Sequence, residues 1–180
     1  MSPPVYFDTS VFLAILKPEN TAKQIRALLK ELEEENVRIY TSVLTLQEAS
    51  VLGFRRGTVA KDNVTRIGKL ARIVGISPDV ALTAAKLEAH ISDKASESEK
   101  DRAEKKRRKW DCFHIATAQV YKCSVIFAED KPMQARQSQL GLTSLKILAP
   151  RAKSNTLKFD EPPVIKAEAE LPKVSAKKGE

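Results

Sequence analysis

The feature that most constrains this chain is a short apolar run that stops abruptly at an acid. Val5-Tyr6-Phe7 meets Asp8, two hydroxyl residues follow at Thr9 and Ser10, and a new apolar stretch spans Val11 to Leu16. This reads as a buried strand feeding a helix. The pattern returns late in the chain, where Ser124-Val125-Ile126-Phe127-Ala128 stops at Glu129 and Asp130. In an open α/β sheet the ligand crevice lies beyond the carboxyl ends of the strands, so acids at that point face a site. Asp8 taken alone also reads as the N-cap of the following helix.

The stretches between these two landmarks alternate in the same way. Lys17 to Asn20 is a break, Thr21 is a candidate N-cap, and Ala22, Ile25, Leu28, Leu29 and Leu32 form an apolar stripe at helical spacing. Val37 to Tyr40 reads as a strand, and Thr41-Ser42 as the opening of a third helix that runs through Glu48 to Gly53 and Gly57. Val59 to Leu70 reads as helical, and Ile73 to Ile76 is short and apolar. Ser77-Pro78-Asp79 is a strong helix start, with Ser as cap and Pro at the first helical position. That helix turns Val80, Ala84, Leu87 and Ile91 inward. Trp110-Asp111 opens another helix to Tyr121, Pro132 to Leu140 forms one that stops at Gly141, and Leu145 to Leu148 is a last strand. Strands alternating with helices predict a parallel sheet with helices on both faces, because each parallel connection needs a crossover.

Two segments depart from this rhythm. Residues 92–109 form a charged insert; from Lys100 to Lys109 it holds seven basic residues against Asp101 and Glu104, a net +5. Lys105, Lys106, Arg107, Arg108 and Lys109 are therefore a candidate phosphate-binding patch, or simply a solvated face. Residues 151–180 are rich in Lys, Glu, Pro and Ala and read as a disordered tail after a domain spanning residues 1–150. The chain's 180 residues suit one domain, and its formal charge of +8 favours polyanionic partners. Cys112 and Cys123, on one helix, would stand roughly 16 Å apart, too far for a disulfide. No apolar run approaches the roughly 18 residues needed to cross a bilayer, and nothing resembles a signal peptide. The expectation is a reduced, cytoplasmic protein with no membrane partner.

Two more acids join Asp8 and Asp130. Asp111 precedes apolar Ile115 and Ala118 on one helical face, an odd place for a charge unless that face reaches a site. N-capping is its alternative. Glu48 lies in the early turns of its helix, where Thr45-Leu46-Gln47-Glu48 also fits a capping box. Four clustered carboxylates would repel and raise one another's pKa values, so such a set implies a hard divalent ion, Mg²⁺ or Mn²⁺. Oxygen ligands in a basic protein suggest metal-assisted phosphodiester chemistry rather than a zinc site.

The succession Val5-Tyr6-Phe7-Asp8-Thr9-Ser10, Thr41 to Glu48, Asp111-Cys112-Phe113-His114-Ile115-Ala116-Thr117-Ala118 and Phe127-Ala128-Glu129-Asp130-Lys131 resembles the PIN-domain ribonucleases. In size and order it is most similar to the VapC toxins of toxin-antitoxin pairs, over residues 4 to 150. The resemblance implies a three-layer α/β/α sandwich with a central parallel sheet. It also implies an acidic pocket that binds Mg²⁺ or Mn²⁺ and cuts RNA, with an antitoxin and a homodimer as candidate protein partners. Asp8, Glu48, Asp111 and Asp130 match the family's acidic positions, and Ser10 its small polar residue. Thr9 and Glu129 are supporting candidates. The insert and the tail are departures, and His114, one turn after Asp111, reads as a packed or supporting histidine. Trp110 reads as a packing residue or a base-stacking one.

Three rivals stand beside this reading. A haloacid dehalogenase-like phosphatase would need a second acid two residues after Asp8, where this chain has Ser10. A non-catalytic scaffold would keep the fold and bind nucleic acid or protein without cutting. An RNA-processing nuclease would cut without an antitoxin.

Overall fold

A computed structural model describes residues 2–15, 20–55, 57, 60–91 and 99–152. Twelve elements follow in order: β1 (Val5–Phe7), α1 (Thr9–Ile15), α2 (Asn20–Glu34), β2 (Ile39–Ser42), α3 (Val43–Arg55), α4 (Ala60–Leu70), β3 (Arg72–Val74), α5 (Pro78–His90), α6 (Glu99–Val120), β4 (Val125–Phe127), α7 (Lys131–Gln139) and β5 (Lys146–Leu148). The five strands form one sheet in the order β3-β2-β1-β4-β5, and every pairing is parallel. The α/β class and the parallel sheet are as the sequence pattern requires.

Strand periodicity sends successive side chains to opposite faces, and the core divides accordingly. Val5 and Phe7 join Val11, Phe12, Ile25, Leu28, Ile67 and Phe127 in one cluster, which packs α1, α2 and α4 onto the sheet. Tyr6 and Ile126 join Ile115, Ala118, Met133 and Ile147 in the other, beneath α6 and α7. Tyr6 and Phe7 are completely buried, each contributing on the order of 2 kcal/mol. A third cluster, Val80, Ala84, Cys112 and Ala116, joins α5 to α6. Both cysteines are free and buried. Close helix contact also needs Gly53: a β-carbon there would meet the Ala60 Cα at 3.1 Å.

Several expected boundaries hold. Ser77 caps α5, accepting from the Val80 N–H with Pro78 in the first turn, and Gly141 follows α7 at φ +59°, the left-handed conformation that suits a helix C-terminus. Others move. Thr41 and Ser42 belong to β2 rather than to the helix after it, because they pair with Ile73 and Val74 and the Thr41 hydroxyl donates to the Phe7 carbonyl at 2.9 Å. The segment around Ile73 is thus an edge strand. The helix expected to open at Trp110 begins at Glu99 instead, and residues 99–109 of the charged insert are its first three turns. Their Lys, Arg, Glu and Ala residues are strong helix formers. Residues 92–98 of the insert, and residues 153–180 of the expected tail, lie outside the described residues. Among the described residues no helix is long and apolar enough to cross a membrane.

The strand order reverses between β1 and β4, which are neighbours in register at Phe7 and Phe127. A crevice at such a switch point is where α/β sheets bind ligands. Asp8 leaves one of these strands; Glu129 and Asp130 follow the other.

Candidate active site

The site starts where β1 ends. The Asp8 N–H donates to the Phe127 carbonyl at 3.0 Å, which carries the ladder one residue past the strand. Asp8 Oδ2 then accepts from the Ser10 N–H at 3.0 Å and the Ser10 hydroxyl at 2.7 Å. The first of these is a capping bond at the start of α1. Capping and site roles are therefore not exclusive, since Asp8 Oδ1 remains turned toward His114 at 3.7 Å. Ser10 also ties the two strand ends together, because its oxygen accepts from the Glu129 N–H at 2.9 Å.

Glu48 arrives from α3. That helix opens at Val43, so Thr45 lies inside its first turn and the expected capping box does not form. Thr45 Oγ1 instead lies 2.8 Å from Thr41 Oγ1 and 3.3 Å from Thr9 Oγ1, and Thr9 donates to Glu48 Oε2. A ladder of hydroxyls thus positions this acid.

His114, a buried side chain, joins these acids. Its Nδ1 lies 2.7 Å from the Tyr6 hydroxyl, and its Nε2 lies 3.4 Å from Glu48 Oε2 without an aligned hydrogen bond. Burial opposes the imidazolium, but the Tyr6 oxygen and the carboxylates of Glu48 and Asp8 outweigh it and hold its pKa well above the usual value. Burial likewise acts against the Glu48 carboxylate, and the nearby His114 ring together with the Thr9 hydroxyl outweighs that to lower its pKa.

The third acid carries a partner that the sequence did not disclose. Asp111 lies in the middle of α6, so N-capping is not its role. Its Oδ2 accepts from Arg136 Nε at 2.9 Å, while Arg136 Nη2 donates to Glu104 Oε1 at 2.6 Å and Nη1 to Gln139 Oε1 at 2.7 Å. Even so, burial pushes the Asp111 pKa up to about 6; Arg136 pulls it down, and Asp130 and Asp8 push it further up. Asp130 N-caps α7, accepting from the Met133 N–H at 3.3 Å, and its pKa is raised by burial and then by Asp8. These three acids sense one another's charge.

All four acids line one cleft of about 470 Å³. A model of the PIN domain matches residues 5–137. The chain belongs to the PIN-domain family. Solved structures agree on the fold. Mycobacterium tuberculosis VapC20, a toxin that cleaves the sarcin-ricin loop, shares 18% identity at a TM-score of 0.52, covering 73% of this chain and 93% of its own. A toxin-antitoxin complex from Klebsiella pneumoniae matches at 18% identity and a TM-score of 0.54, over 81% of this chain and 97% of that one. DNA-bound VapBC from Salmonella typhimurium matches at 12% identity and 0.51, over 83% and 99%. No curated protein matches in sequence.

The remaining candidates of this PIN domain divide by helix geometry. Positions 103, 106, 107, 110, 111 and 114 recur at intervals of three and four, so they share one face of α6. That face is the cleft wall: Ala103, Lys106, Arg107 and Trp110 line it beside Asp111 and His114. Lys105 and Lys109 are exposed outside the cleft lining, and Arg108 is buried on another face. Glu129 is half-buried and does not line the cleft; burial raises its pKa and Arg151 acts in the opposite direction. Arg136 has one signal in the sequence: it shares a helical face with Met133 and Leu140, an apolar setting that a lone charge occupies only when paired.

The donor chemistry of the cleft fits a hard divalent cation, since it offers carboxylate oxygens whose mutual repulsion a cation would relieve. The cleft is not a ready-made cage, however. Among the described residues, no three His, Cys, Asp or Glu side chains are grouped closely enough to enclose a metal ion. Arg136 and His114 already engage the acids from the protein side.

Proposed function

We propose that this PIN domain is a Mg²⁺- or Mn²⁺-dependent endoribonuclease that hydrolyses RNA phosphodiester bonds in the cytoplasm. The observation that carries the reading is the arrival of Asp8, Glu48, Asp111 and Asp130 from four separate elements in one cleft, whose further wall holds Lys106 and Arg107. Four acids and a cationic rim suit a polyanion held through a metal and cut beside it. Family membership supports nuclease chemistry.

In this reading Asp8, Glu48, Asp111 and Asp130 would hold the cation. What a bound cation supplies is charge neutralisation at the phosphate and an acidified water. The chain's own residues do the rest. Ser10 and Thr9 fix the Asp8 and Glu48 carboxylates by hydrogen bonds, and Arg136 holds Asp111 against α6. Lys106 and Arg107 offer positive charge to the phosphates, and Glu104, which bonds both Arg107 and Arg136, holds that wall in place. Such fixed groups need little reorganisation as charge develops.

A toxin role with an antitoxin partner, and a homodimer, are part of the proposal because the fold is shared with toxin-antitoxin assemblies. An RNA-processing nuclease without antitoxin uses the same site. One observation favours a non-catalytic scaffold: Arg136 already neutralises Asp111. Incubating the full chain with mixed RNA and Mg²⁺ or Mn²⁺, beside EDTA and Asp111→Asn, separates these readings. Cutting that requires both the metal and Asp111 supports the nuclease, whereas RNA binding without cutting supports the scaffold.

A further inference from the structure

Nine of the twelve residues lining the cleft are polar or charged, and Trp110 is the largest of the three that are not. A cleft that only gripped phosphates would need no indole. Trp110 is half-buried on the cleft face of α6, one turn beyond Lys106 and immediately before Asp111. It packs on Phe113 at a centroid separation of 6.2 Å and a 41° tilt, which supports the ring from within its own helix. Leu13 of α1 and Ala103, one turn before Lys106, are the other apolar side chains of the lining, and Ala103 is small enough to leave room beside the ring. The volume of about 470 Å³ suits one nucleotide unit.

We propose that Trp110 is a nucleobase seat, taking by stacking the base of a nucleotide whose phosphate lies against Lys106 and Arg107. This rests on the nucleic-acid reading above and adds the part of the substrate that the acids and lysines do not sense. Every base has a π-face, so such a seat selects unpaired nucleotides over duplex without reading sequence. The Glu104 bond to Arg136 holds the α6 wall, and Trp110 with it, before substrate arrives.

Trp110 is the one tryptophan of the chain, so its emission reports on this seat alone. The experiment titrates the full chain, in EDTA to prevent cutting, with a single-stranded oligoribonucleotide and with an abasic ribose-phosphate oligomer of equal length. Emission and the anisotropy of trace end-labelled oligomer are read in parallel. The expected result is quenching that saturates with binding for the base-bearing oligomer and no quenching for the abasic one. Trp110→Ala should weaken the base-bearing oligomer by roughly five- to a hundredfold, bringing it to the affinity of the abasic oligomer. Trp110→Phe should restore most of that loss, and Lys106→Gln should weaken both oligomers equally. If both oligomers bind alike without quenching, or Trp110→Ala weakens both equally, the base seat is wrong while the phosphate-binding cleft stands. If neither oligomer binds, in EDTA or with Mg²⁺ restored, the nucleic-acid reading falls and the seat with it.

Discussion

Arg136 Nε lies 2.9 Å from Asp111 Oδ2, joining the fully packed end of α7 to the acid in the middle of α6. Arg136 is only 4% exposed, and its remaining nitrogens are taken by Glu104 and Gln139. This pair is both a fold contact and part of the site, and it makes the cost of breaking it asymmetric. Removing Arg136 leaves Asp111 buried beside Asp8 and Asp130 without its hydrogen-bonded cation. Removing the Asp111 charge leaves Arg136 with Glu104.

Arg136→Met should therefore destabilise the protein by about 3 kcal/mol, the scale for an unpaired buried charge. The double variant Arg136→Met/Asp111→Asn should recover part of that loss. Urea denaturation of the single and double variants measures the coupling. Additive losses would mean that the pair contributes nothing beyond its separate packing.

The stability of the metal-free protein should carry a pH signature of Asp111. Its folded pKa of about 6 lies above the ordinary aspartate value of 3.8, so between those values the folded state binds the extra proton. Stability from this group is then highest below pH 4 and falls as pH rises through 6, by about 3 kcal/mol. Asp111→Asn should remove that slope and, near neutral pH, stay within about 1 kcal/mol of the parent. Parallel denaturation series from pH 4 to 8 test this, and identical slopes would contradict it.

Ser10→Ala should lower both stability and activity. It deletes the hydroxyl that donates to Asp8 and accepts from the Glu129 N–H, so the ends of β1 and β4 lose their bridge. About 1 to 2 kcal/mol is expected from two such bonds. Thermal unfolding and cleavage rates on one preparation check the two effects together.

Salt should distinguish the basic residues of α6. Lys106→Gln and Arg107→Gln should each weaken RNA binding and flatten its dependence on salt by about one phosphate contact. Lys105→Gln and Lys109→Gln, outside the cleft lining, should change the slope less. Equal effects from all four would mean that RNA follows the whole exposed face rather than the cleft.

How much of this was legible in the sequence follows from what is local and what is not. The strand at Val5–Phe7 and the one before Glu129 were legible because a short apolar run, cut off by an acid, has few other readings. Asp8 and Asp130 came with them. The start of α6 was not legible, since residues 99–109 are polar on almost every face and their helix is anchored across space, by Glu104 to Arg136. Thr41 and Ser42 looked like a cap because their hydroxyls suit one; the edge pairing with β3 draws them into the sheet. The Arg136 bond to Asp111 spans 25 residues and exists only once α7 has docked, so no local pattern reports it. The same distance separates Lys106 from Lys105 in meaning: they are adjacent in sequence, and only the docked helix decides which faces the cleft.

The central claim, that four acids from four elements form a metal-dependent RNA-cutting cleft, is tested most directly by cleavage of mixed RNA with the purified full chain. Mg²⁺ or Mn²⁺ should support cutting, EDTA should stop it, and Asp111→Asn should abolish it while unfolding as cooperatively as the parent. Cutting that persists in EDTA or in a folded Asp111→Asn variant would contradict the account.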